Sequence, residues 1–389
     1  MNARASLWTR PFVIGSLANF LNGLAVMLYL HLPGLLERWC EDDTTIGLVA
    51  ASMAAGAVLV RPFAGRAMDG GGGRRAVVLI GSVGHVCACA GYLAIDHVGP
   101  LLWVVRVAHG VSEGALFAAL FTSAADIVPI ARRTEGLALF GVSGMLPVAL
   151  GGVIGDLVLA HADYRELFLL ALGCAVGALL ISLALPETGG GRRPSGQRGR
   201  GFVAVATQRD LLPIWVIGLS LGAALGAGYA FLKKFVEIEH VGSVGLFYGW
   251  YAAVAIALRI LLGWVPERVG PTRVLAPSLL AITVALALLS SARDASLIAI
   301  AGALAGLGHG YAFPILSGMT AGRSRDEERG SAMSLWTAVF DFGMLFAGPI
   351  FGAISDATSL RTMFGIAACV PVAGVVVFHA WEAWLGDCR

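Results

Sequence analysis

Apolar residues along this chain fall into long runs that short polar breaks separate. Each run has about the 20 residues that an α-helix needs to cross a bilayer. Twelve such runs lie near residues 11–36, 44–64, 76–96, 98–125, 135–160, 164–185, 211–235, 243–265, 274–292, 296–320, 331–354 and 362–384. The pattern therefore predicts an all-α polytopic membrane protein with twelve transmembrane helices.

The longest polar break lies in the middle of the chain. Residues 186–210 contain the stretch PETGGGRRPSGQRGRG, which is rich in Gly, Pro and Arg. A segment of this composition forms no core and is typical of a flexible linker. We therefore expect a six-helix bundle over 1–185, a linker over 186–210 and a second six-helix bundle over 211–389.

Basic residues are divided unequally between the two sides of these spans. Of the 27 Lys and Arg residues, eighteen fall on the side that holds both termini and the central break, six fall on the other side, and three lie in or at the edge of spans. Cytoplasmic loops carry the excess of positive charge. We expect a multi-pass protein of the bacterial inner membrane with both termini in the cytoplasm.

Composition excludes several classes of protein. Charged residues make up 13% of the chain, about half the share in a soluble domain. The six cysteines form no CxxC pair, which favours small core residues over disulfides or metal ligands.

The chain also contains no P-loop, no spaced His/Cys metal set and no GxSxG motif, so we expect no cofactor, no bound metal and no enzyme activity. The basic linker is too short to indicate nucleic-acid binding.

An internal repeat relates the two halves. The segment RPFAGRAMDGGGGRR (61–75) aligns with RILLGWVPERVGPTR (259–273), 198 positions later. The paired positions are Arg61 with Arg259, Gly65 with Gly263, Asp69 with Glu267, Gly72 with Gly270, and Arg75 with Arg273. His109-Gly110 in the fourth span likewise matches His309-Gly310 in the tenth. These ordered matches indicate a duplicated six-helix unit.

Three segments resemble motifs of the major facilitator superfamily. Residues 65–75 resemble its G-x-x-x-D-R-x-G-R-R/K loop, with Gly65, Asp69, Arg74 and Arg75 at matching positions and Gly70 in place of the usual basic residue. VVRVAHG (104–110) is similar to its fourth-span R-x-x-Q-G motif, and residues 141–155 resemble the Gly/Pro motif of its efflux members. The resemblance implies a secondary transporter in which two six-helix halves rock around a midplane cavity.

The fourth predicted span carries the strongest candidates for coupling. Arg106, His109 and Glu113 are spaced by three and four residues, which puts them on one helix face. Ionisable groups at membrane depth are costly and so indicate function. The superfamily resemblance implies that Arg106 matches a residue assigned to proton transfer in efflux members. The alternative is a structural group that joins this helix to its neighbours.

Other polar residues lie inside predicted spans. Asp341 in the eleventh span either binds a proton or cationic group or forms a structural pair, and Asn19 and Asn22 in the first span either line the cavity or hold helices together. Lys233 and Lys234 either attract an anionic substrate or extend to the lipid headgroups.

The loop after the second span is a candidate gate. The resemblance implies that Gly65, Asp69, Arg74 and Arg75 belong to a network that holds the cytoplasmic side closed. The alternative is that Arg74 and Arg75 only fix the topology.

We expect proton-coupled export, that is, antiport of a small organic molecule, because residues 104–188 resemble bacterial efflux members that export sugars, drugs or siderophore-like metabolites. The alternative within transport is proton-coupled uptake. A membrane-embedded enzyme or a sensor is less favoured, since neither catalytic motifs nor a large cytoplasmic loop are present. The expected partners are a small-molecule substrate, protons and the lipid bilayer, with no nucleic acid, and we expect a monomer.

Overall fold

The computed structural model describes residues 7–39, 42–69, 73–129, 133–188, 202–325 and 329–387. These residues form fifteen α-helices, one 3-10 turn at Tyr29–His31 and no β-strand. The helices are α1 (Arg10–Leu28), α2 (Leu32–Arg38), α3 (Asp43–Asp69), α4 (Arg74–Tyr92), α5 (Pro100–Ile127), α6 (Arg133–His161), α7 (Tyr164–Ser182), α8 (Phe202–Ala206), α9 (Leu212–Glu239), α10 (Val244–Leu261), α11 (Val265–Val269), α12 (Pro271–Ser291), α13 (Ala295–Arg323), α14 (Arg329–Ala357) and α15 (Leu360–Asp387).

Twelve helical runs within these ranges are long and apolar enough to cross a membrane. The first of them, Arg10–Arg38, joins α1, the 3-10 turn and α2, while α8 and α11 have only five residues each. The prediction of an all-helical protein with twelve spans is confirmed. The helix α8 falls inside the stretch predicted as a linker, and residues 189–201 of that stretch lie outside the described residues.

Polar caps start several helices. Asp163 and Glu166 form a capping box at the first turn of α7, and Asp294 accepts hydrogen bonds from the backbone of Ser296 and Leu297 at the start of α13. These carboxylates satisfy backbone N–H groups that have no partner within the helix and complement its positive end. The caps therefore set where each apolar run becomes helical.

Close helix packing divides the chain into two compact units. The first comprises Met1–His31 and Ala55–Arg193. Within it, α1 packs against α6 and α7, and α4 packs against α5 and α7. Its apolar core includes Phe12, Val78, Leu116 and Phe140, one side chain from each of four helices.

The second unit comprises Leu32–Ala54 and Pro194–Arg389. Within it, α9 packs against α14 and α15, and α12 packs against α13 and α15. These pairings repeat those of the first unit, because the first helix of each half meets the fifth and sixth while the third meets the fourth and sixth. The repeated packing agrees with the sequence repeat. Residues 32–54 precede the linker but cluster with the second unit.

Glycines bring α13 unusually close to α10. A Cβ at Gly302 would overlap the carbonyl oxygen of Phe247, and a Cβ at Gly306 would overlap that of Tyr251. Only glycine lets the two backbones meet at these points. Small residues serve this purpose at many helix contacts in membranes.

Candidate functional site

A buried polar cluster occupies the middle of the first unit. The helix α5 carries Arg106, His109 and Glu113 on one face, as the sequence analysis predicted. The Arg106 and His109 side chains are buried, at 7% and 0% exposure, and Glu113 is half-buried. The Nη1 atom of Arg106 donates a hydrogen bond of 3.2 Å to the hydroxyl of Tyr92 on α4.

Tyr92 also connects Arg106 to His109. Its hydroxyl oxygen lies 3.2 Å from His109 Nδ1, so one phenol contacts both polar groups of α5. The ring of Tyr29 lies 4.2 Å from the ring of Tyr92 and 5.2 Å from that of His109, and Phe168 stacks on Tyr29. These rings bury the cluster, and electrostatic interactions are stronger in such a low-dielectric setting.

His85 and Asn22 extend the cluster towards α1. The imidazole of His85 stacks on that of His109 with a centroid distance of 4.9 Å, and its Nδ1 lies 3.1 Å from Asn22 Oδ1. Both residues are buried. The sequence analysis chose Asn22 as a candidate site residue but did not choose His85 or Tyr92. Their only sequence signal was that polar groups on α4 lay within a predicted span.

Asn19 lies one turn from Asn22 but contacts a different helix. Its Nδ2 donates a hydrogen bond of 2.9 Å to Ser143 Oγ on α6, whereas Asn22 contacts α4. The structure therefore does not bring Asn19 to the Arg106 cluster. Asp341 belongs to the second unit, where it is half-buried on α14.

The second unit contains its own histidine–tyrosine pair. His309 on α13 accepts or donates a hydrogen bond at Nδ1 with the hydroxyl of Tyr251 on α10. The rings of Phe313 and Phe340 lie against His309. Tyr251 also lines a small cavity with Tyr229 and Tyr248. His309 is therefore surrounded by aromatic rings, as His109 is. Its tyrosine partner lies on the second span of its half, whereas that of His109 lies on the third.

The arginines of the candidate gate tie three helices of the first unit together. Arg74 forms an ion pair with Asp126 at the end of α5, and Arg75 Nη2 donates a hydrogen bond of 2.8 Å to the carbonyl of Leu183 after α7. Glu187 accepts a hydrogen bond of 2.7 Å from the backbone N–H of Arg74, which caps α4. Gly73 adopts φ +77°, and a Cβ there would overlap the Glu187 carboxylate.

Two other predicted gate residues are described only by their backbone. Gly65 and Asp69 lie in the last turns of α3. Their side chains, and residues 70–72 of the loop, lie outside the described residues. The predicted role of Asp69 in the gate stays a prediction.

A second charged cluster, which the sequence analysis did not predict, lies in the second unit. The Nζ atom of Lys234 on α9 lies 2.5 Å from Glu37 Oε2 on α2 and 2.8 Å from Asp43 Oδ1 at the start of α3. Lys233 pairs with Glu237 on its own helix at 3.0 Å. Both lysines are buried at 8% exposure, so neither extends freely to the headgroups.

The helix α14 completes this cluster from the other side. Asp356 accepts hydrogen bonds from the backbone N–H groups of Asp43 and Thr44, at 2.7 and 2.8 Å, and Ser355 Oγ donates to Asp43 Oδ2 at 2.5 Å. We call Glu37, Asp43, Lys234, Ser355 and Asp356 the α2–α3 clamp. It fastens residues 32–54 to α9 and α14.

Glycines let α3 and α14 meet backbone to backbone beside the clamp. A Cβ at Gly47 would overlap the carbonyl of Gly348, and a Cβ at Gly352 would overlap that of Asp43. No side chain separates the two helices at these points, so their backbones are in direct contact.

A sequence profile decides the family. The profile described as Major Facilitator Superfamily matches residues 12–265 and 239–385. The chain belongs to the major facilitator superfamily. It is therefore a multi-pass membrane transporter and not an enzyme, and the resemblance seen in residues 65–75 and 104–110 is confirmed.

Relatives within the superfamily extend over nearly the whole chain. An uncharacterised MFS-type transporter of Salmonella typhimurium is 29% identical over 385 residues, which are 94% of each chain. The multidrug resistance protein MdtG of Salmonella choleraesuis is 25% identical over 405 residues, with 97% of this chain and 95% of that one covered.

Solved structures of the superfamily share the fold. The nucleoside transporter NupG matches with a TM-score of 0.76 at 14% identity, over 96% of this chain and 99% of that one. The human organic anion transporter MFSD10 (TETRAN) matches with a TM-score of 0.70 at 18% identity, over 95% and 99% of the two chains. At these identities the superfamily members indicate the fold alone.

Proposed function

We propose that this transporter exports a small organic molecule in exchange for protons, by alternating access across a bacterial inner membrane. Its two termini lie in the cytoplasm, as the distribution of Lys and Arg predicts. The substrate and the proton use one path that opens to the two sides in turn. Sugars, drugs and siderophore-like metabolites are the candidate substrates.

The α2–α3 clamp is the observation that carries this proposal. Residues 32–54 come from the first half of the sequence, yet they are fastened to α9 and α14 of the second unit. With the termini in the cytoplasm, these residues lie at the outer side of the membrane. Alternating access requires contacts at this side that hold in one state of the cycle and break in the other.

The clamp consists of interactions that can break and re-form. Its hydrogen bonds and ion pairs involve polar groups that water can solvate when the helices part, in contrast to an apolar core. A transport cycle needs two states that differ by only a few kcal/mol. We infer that outward opening separates α3 from α14 at this point.

Glu113 is the carboxylate that we propose carries the proton. It is half-buried within a span, one turn beyond His109 and two turns beyond Arg106. A carboxylate within a span is a candidate for a functional role, because an ionisable group there is costly. In this proposal it takes up a proton in one state of the transport cycle and releases it in the other. Asp341 on α14 is the second candidate, because it is also half-buried within a span.

The direction of transport rests on two lines of support. Residues 104–188 resemble the efflux branch of the superfamily, and one relative is named as a multidrug resistance protein. The alternative, proton-coupled uptake, uses the same carboxylates with substrate and proton moving together. The difference between the two is measurable as the direction of proton flow.

Everted membrane vesicles separate the two directions. The vesicle lumen is acidified by respiration, and a panel of sugars, drugs and metal-free siderophores is added outside while a pH-sensitive dye reports the luminal pH. Export by antiport predicts that a substrate raises the luminal pH, since protons leave as it enters. Uptake by symport predicts no such rise, and that result for a substrate shown to be transported would overturn the proposal.

The role of Glu113 is tested in the same vesicles. We expect Glu113→Gln to abolish the substrate-induced proton flux while the purified protein unfolds at a temperature near that of the wild type. Glu166→Gln, in the capping box of α7, is the matched control and keeps the flux. Normal flux in Glu113→Gln would show that the proton is carried elsewhere.

A further inference from the structure

Three residues with metal-binding side chains meet in the first unit. His85 and Cys89 lie one turn apart on α4, and His109 faces them from α5. One ring nitrogen of each histidine and the sulfur of Cys89 all lie within 4.8 Å of one another. All three side chains are fully buried, at 0% exposure. Among the residues that the structure describes, His85, Cys89 and His109 form the one group of three or more His, Cys, Asp or Glu side chains that lie close enough to share a metal ion.

The two imidazoles carry nitrogens that have no hydrogen-bond partner. Nε2 of His85 and Nε2 of His109 are both buried and unbonded in the described structure. A buried polar atom without a partner destabilises the protein, because it has lost its hydrogen bonds to water. Most buried polar atoms are therefore satisfied, and an unsatisfied pair on facing rings calls for a ligand.

The hydrogen bond of His85 prepares it as a ligand. Its Nδ1 lies 3.1 Å from Asn22 Oδ1, and an amide oxygen only accepts. Nδ1 therefore holds the proton and Nε2 presents a free lone pair. Metal-binding histidines are commonly oriented by such a hydrogen bond from the second ring nitrogen.

Tyr92 gives His109 a similar support. The phenol oxygen lies 3.2 Å from Nδ1 of His109 and also accepts a hydrogen bond from Arg106. When His109 Nδ1 donates to this oxygen, its Nε2 is free to bind a metal. Both histidines can thus adopt the tautomer that a metal requires.

We propose that His85, Cys89 and His109 bind one Cu(I) ion. Thiolate and imidazole are ligands that suit copper and zinc. A three-coordinate ion with bonds of about 2.0–2.3 Å, as in zinc sites, places its ligand atoms roughly 3.5–3.7 Å apart. The three ligand atoms already lie within 4.8 Å of one another, and they come to that spacing when the two imidazole rings, which are stacked in this structure, turn towards Cys89.

Charge selects the monovalent ion. Binding replaces the thiol proton of Cys89 by Cu(I), the proton leaves to solvent, and the copper keeps its oxidation state. The product is a neutral complex of one thiolate, two neutral imidazoles and one Cu(I). A Zn(II) ion would leave one positive charge in this apolar setting near Arg106, which is costly to bury.

The ion would join α4 to α5 and fix the face of α5 that bears Glu113. This inference differs from the expectation that the cysteines are only packing residues. The sequence analysis found no metal set here because the third ligand, His109, lies on the next helix and meets the other two only when α5 packs on α4. It also does not depend on the direction or the coupling of transport.

Copper binding to the purified, reduced full-length transporter tests the proposal. Overnight incubation lets local opening admit the ion, and a chromophoric Cu(I) chelator competes for it. We expect one Cu(I) per chain, with X-ray absorption showing one sulfur and two nitrogen ligands. Zn(II), competed with a zinc dye, should bind at least about tenfold more weakly. Equal or tighter Zn(II) binding at the same residues would overturn the choice of ion.

Variants identify the ligands. Cys89→Ser should weaken Cu(I) binding by about a hundredfold or more, and Asn22→Leu by about 10–100-fold through loss of the orienting bond. Cys87→Ser, on the same helix but exposed, and His309→Gln, at the repeat-related position, are the matched controls and should bind normally.

Two results would overturn the proposal directly. One is Cu(I) binding that Cys89→Ser leaves unchanged, and the other is X-ray absorption without a sulfur ligand. If Cys89→Ser fails to fold, His85→Gln serves in its place. The X-ray absorption spectrum of the wild type needs no variant at all.

Discussion

The carboxylate of Asp356 lies 2.7 Å from the backbone nitrogen of Asp43 and so caps a helix to which it does not belong. Asp356 stands in the last turn of α14, where the dipole of its own helix disfavours a negative charge. The start of α3 has the opposite polarity and stabilises it. The favourable contact with the start of α3 therefore explains why an aspartate stands at the end of α14.

Removal of this cap should loosen α3. We expect Asp356→Ala to cost about 1–2 kcal/mol, as for other N-caps, because three hydrogen bonds from the start of α3 are lost. Amide exchange over residues 43–50 should accelerate about 5–30-fold when measured by mass spectrometry. If amide exchange over residues 43–50 were the same as in the wild type, the proposal that the protein opens at the α2–α3 clamp would be contradicted.

Asp294→Ala is the control for this measurement. It removes a cap of the same chemistry at the start of α13. Exchange should accelerate over the first turn of α13 and stay as in the wild type over α3.

Adjacent lysines should differ sharply in their contributions to stability. Lys234 pairs with Glu37 and Asp43, whereas Lys233 pairs with Glu237 alone. Lys234→Met leaves two nearby carboxylates without their cation, which should lower the free energy of unfolding by about 3 kcal/mol. Lys233→Met should cost less than about 1 kcal/mol, because it leaves only one carboxylate without its cation and that of Glu237 is 36% exposed.

Thermal unfolding in detergent measures both lysine variants. Addition of Asp43→Asn to Lys234→Met should recover part of the loss, since it removes one of the unpaired charges. A double variant less stable than Lys234→Met would argue against charge balance as the cause.

Replacement of glycine by alanine should affect stability differently at two positions of α13. Gly306→Ala places a methyl group against the carbonyl of Tyr251 and should destabilise the protein by about 1–3 kcal/mol. Gly318→Ala, also on α13, meets no atom within 4 Å and should be neutral or slightly stabilising through helix propensity. Thermal unfolding of the two variants side by side is the measurement, and equal midpoints would contradict the close contact of α10 and α13.

The cap at Asp294 should contribute to the pH dependence of stability. The hydroxyl of Ser296 and the backbone N–H groups of the first turn hold the pKa of this carboxyl below its ordinary value of 3.8. Its stabilising effect is therefore present above pH 3.8 and is lost as the pH falls through the lower, folded-state pKa. We expect Asp294→Asn to show a shallower decline of the unfolding temperature between pH 5 and pH 2.5, because Asn still caps the helix but does not titrate. Identical slopes would contradict this.

The twelve spans were predictable because a bilayer imposes a length and a polarity that the sequence displays directly. The shared face of Arg106, His109 and Glu113 was also predictable, since it depends only on helical spacing. Their surroundings were not. His85 and Tyr92 meet this face only because α4 packs on α5, and no spacing in the chain encodes that contact.

The α2–α3 clamp shows the same limit more strongly. Asp43 and Asp356 lie more than 300 residues apart, and each resembles an ordinary charge at the end of a span. Lys234 likewise matches a lysine that extends to lipid headgroups. Only the packing of α3 against α9 and α14 distinguishes these residues from surface charges.

The sequence repeat matches His109 with His309, yet the hydroxyl that touches each comes from a different helix of its bundle: α4 for the first and α10 for the second. The two halves thus share the imidazole but not the helix that supplies its partner. A protein made by joining two copies of the first half would have the tyrosine on the third span of both halves, as Tyr92 is here. It would have no counterpart of Tyr251 on a second span. The halves look alike in outline, but they are no longer interchangeable parts.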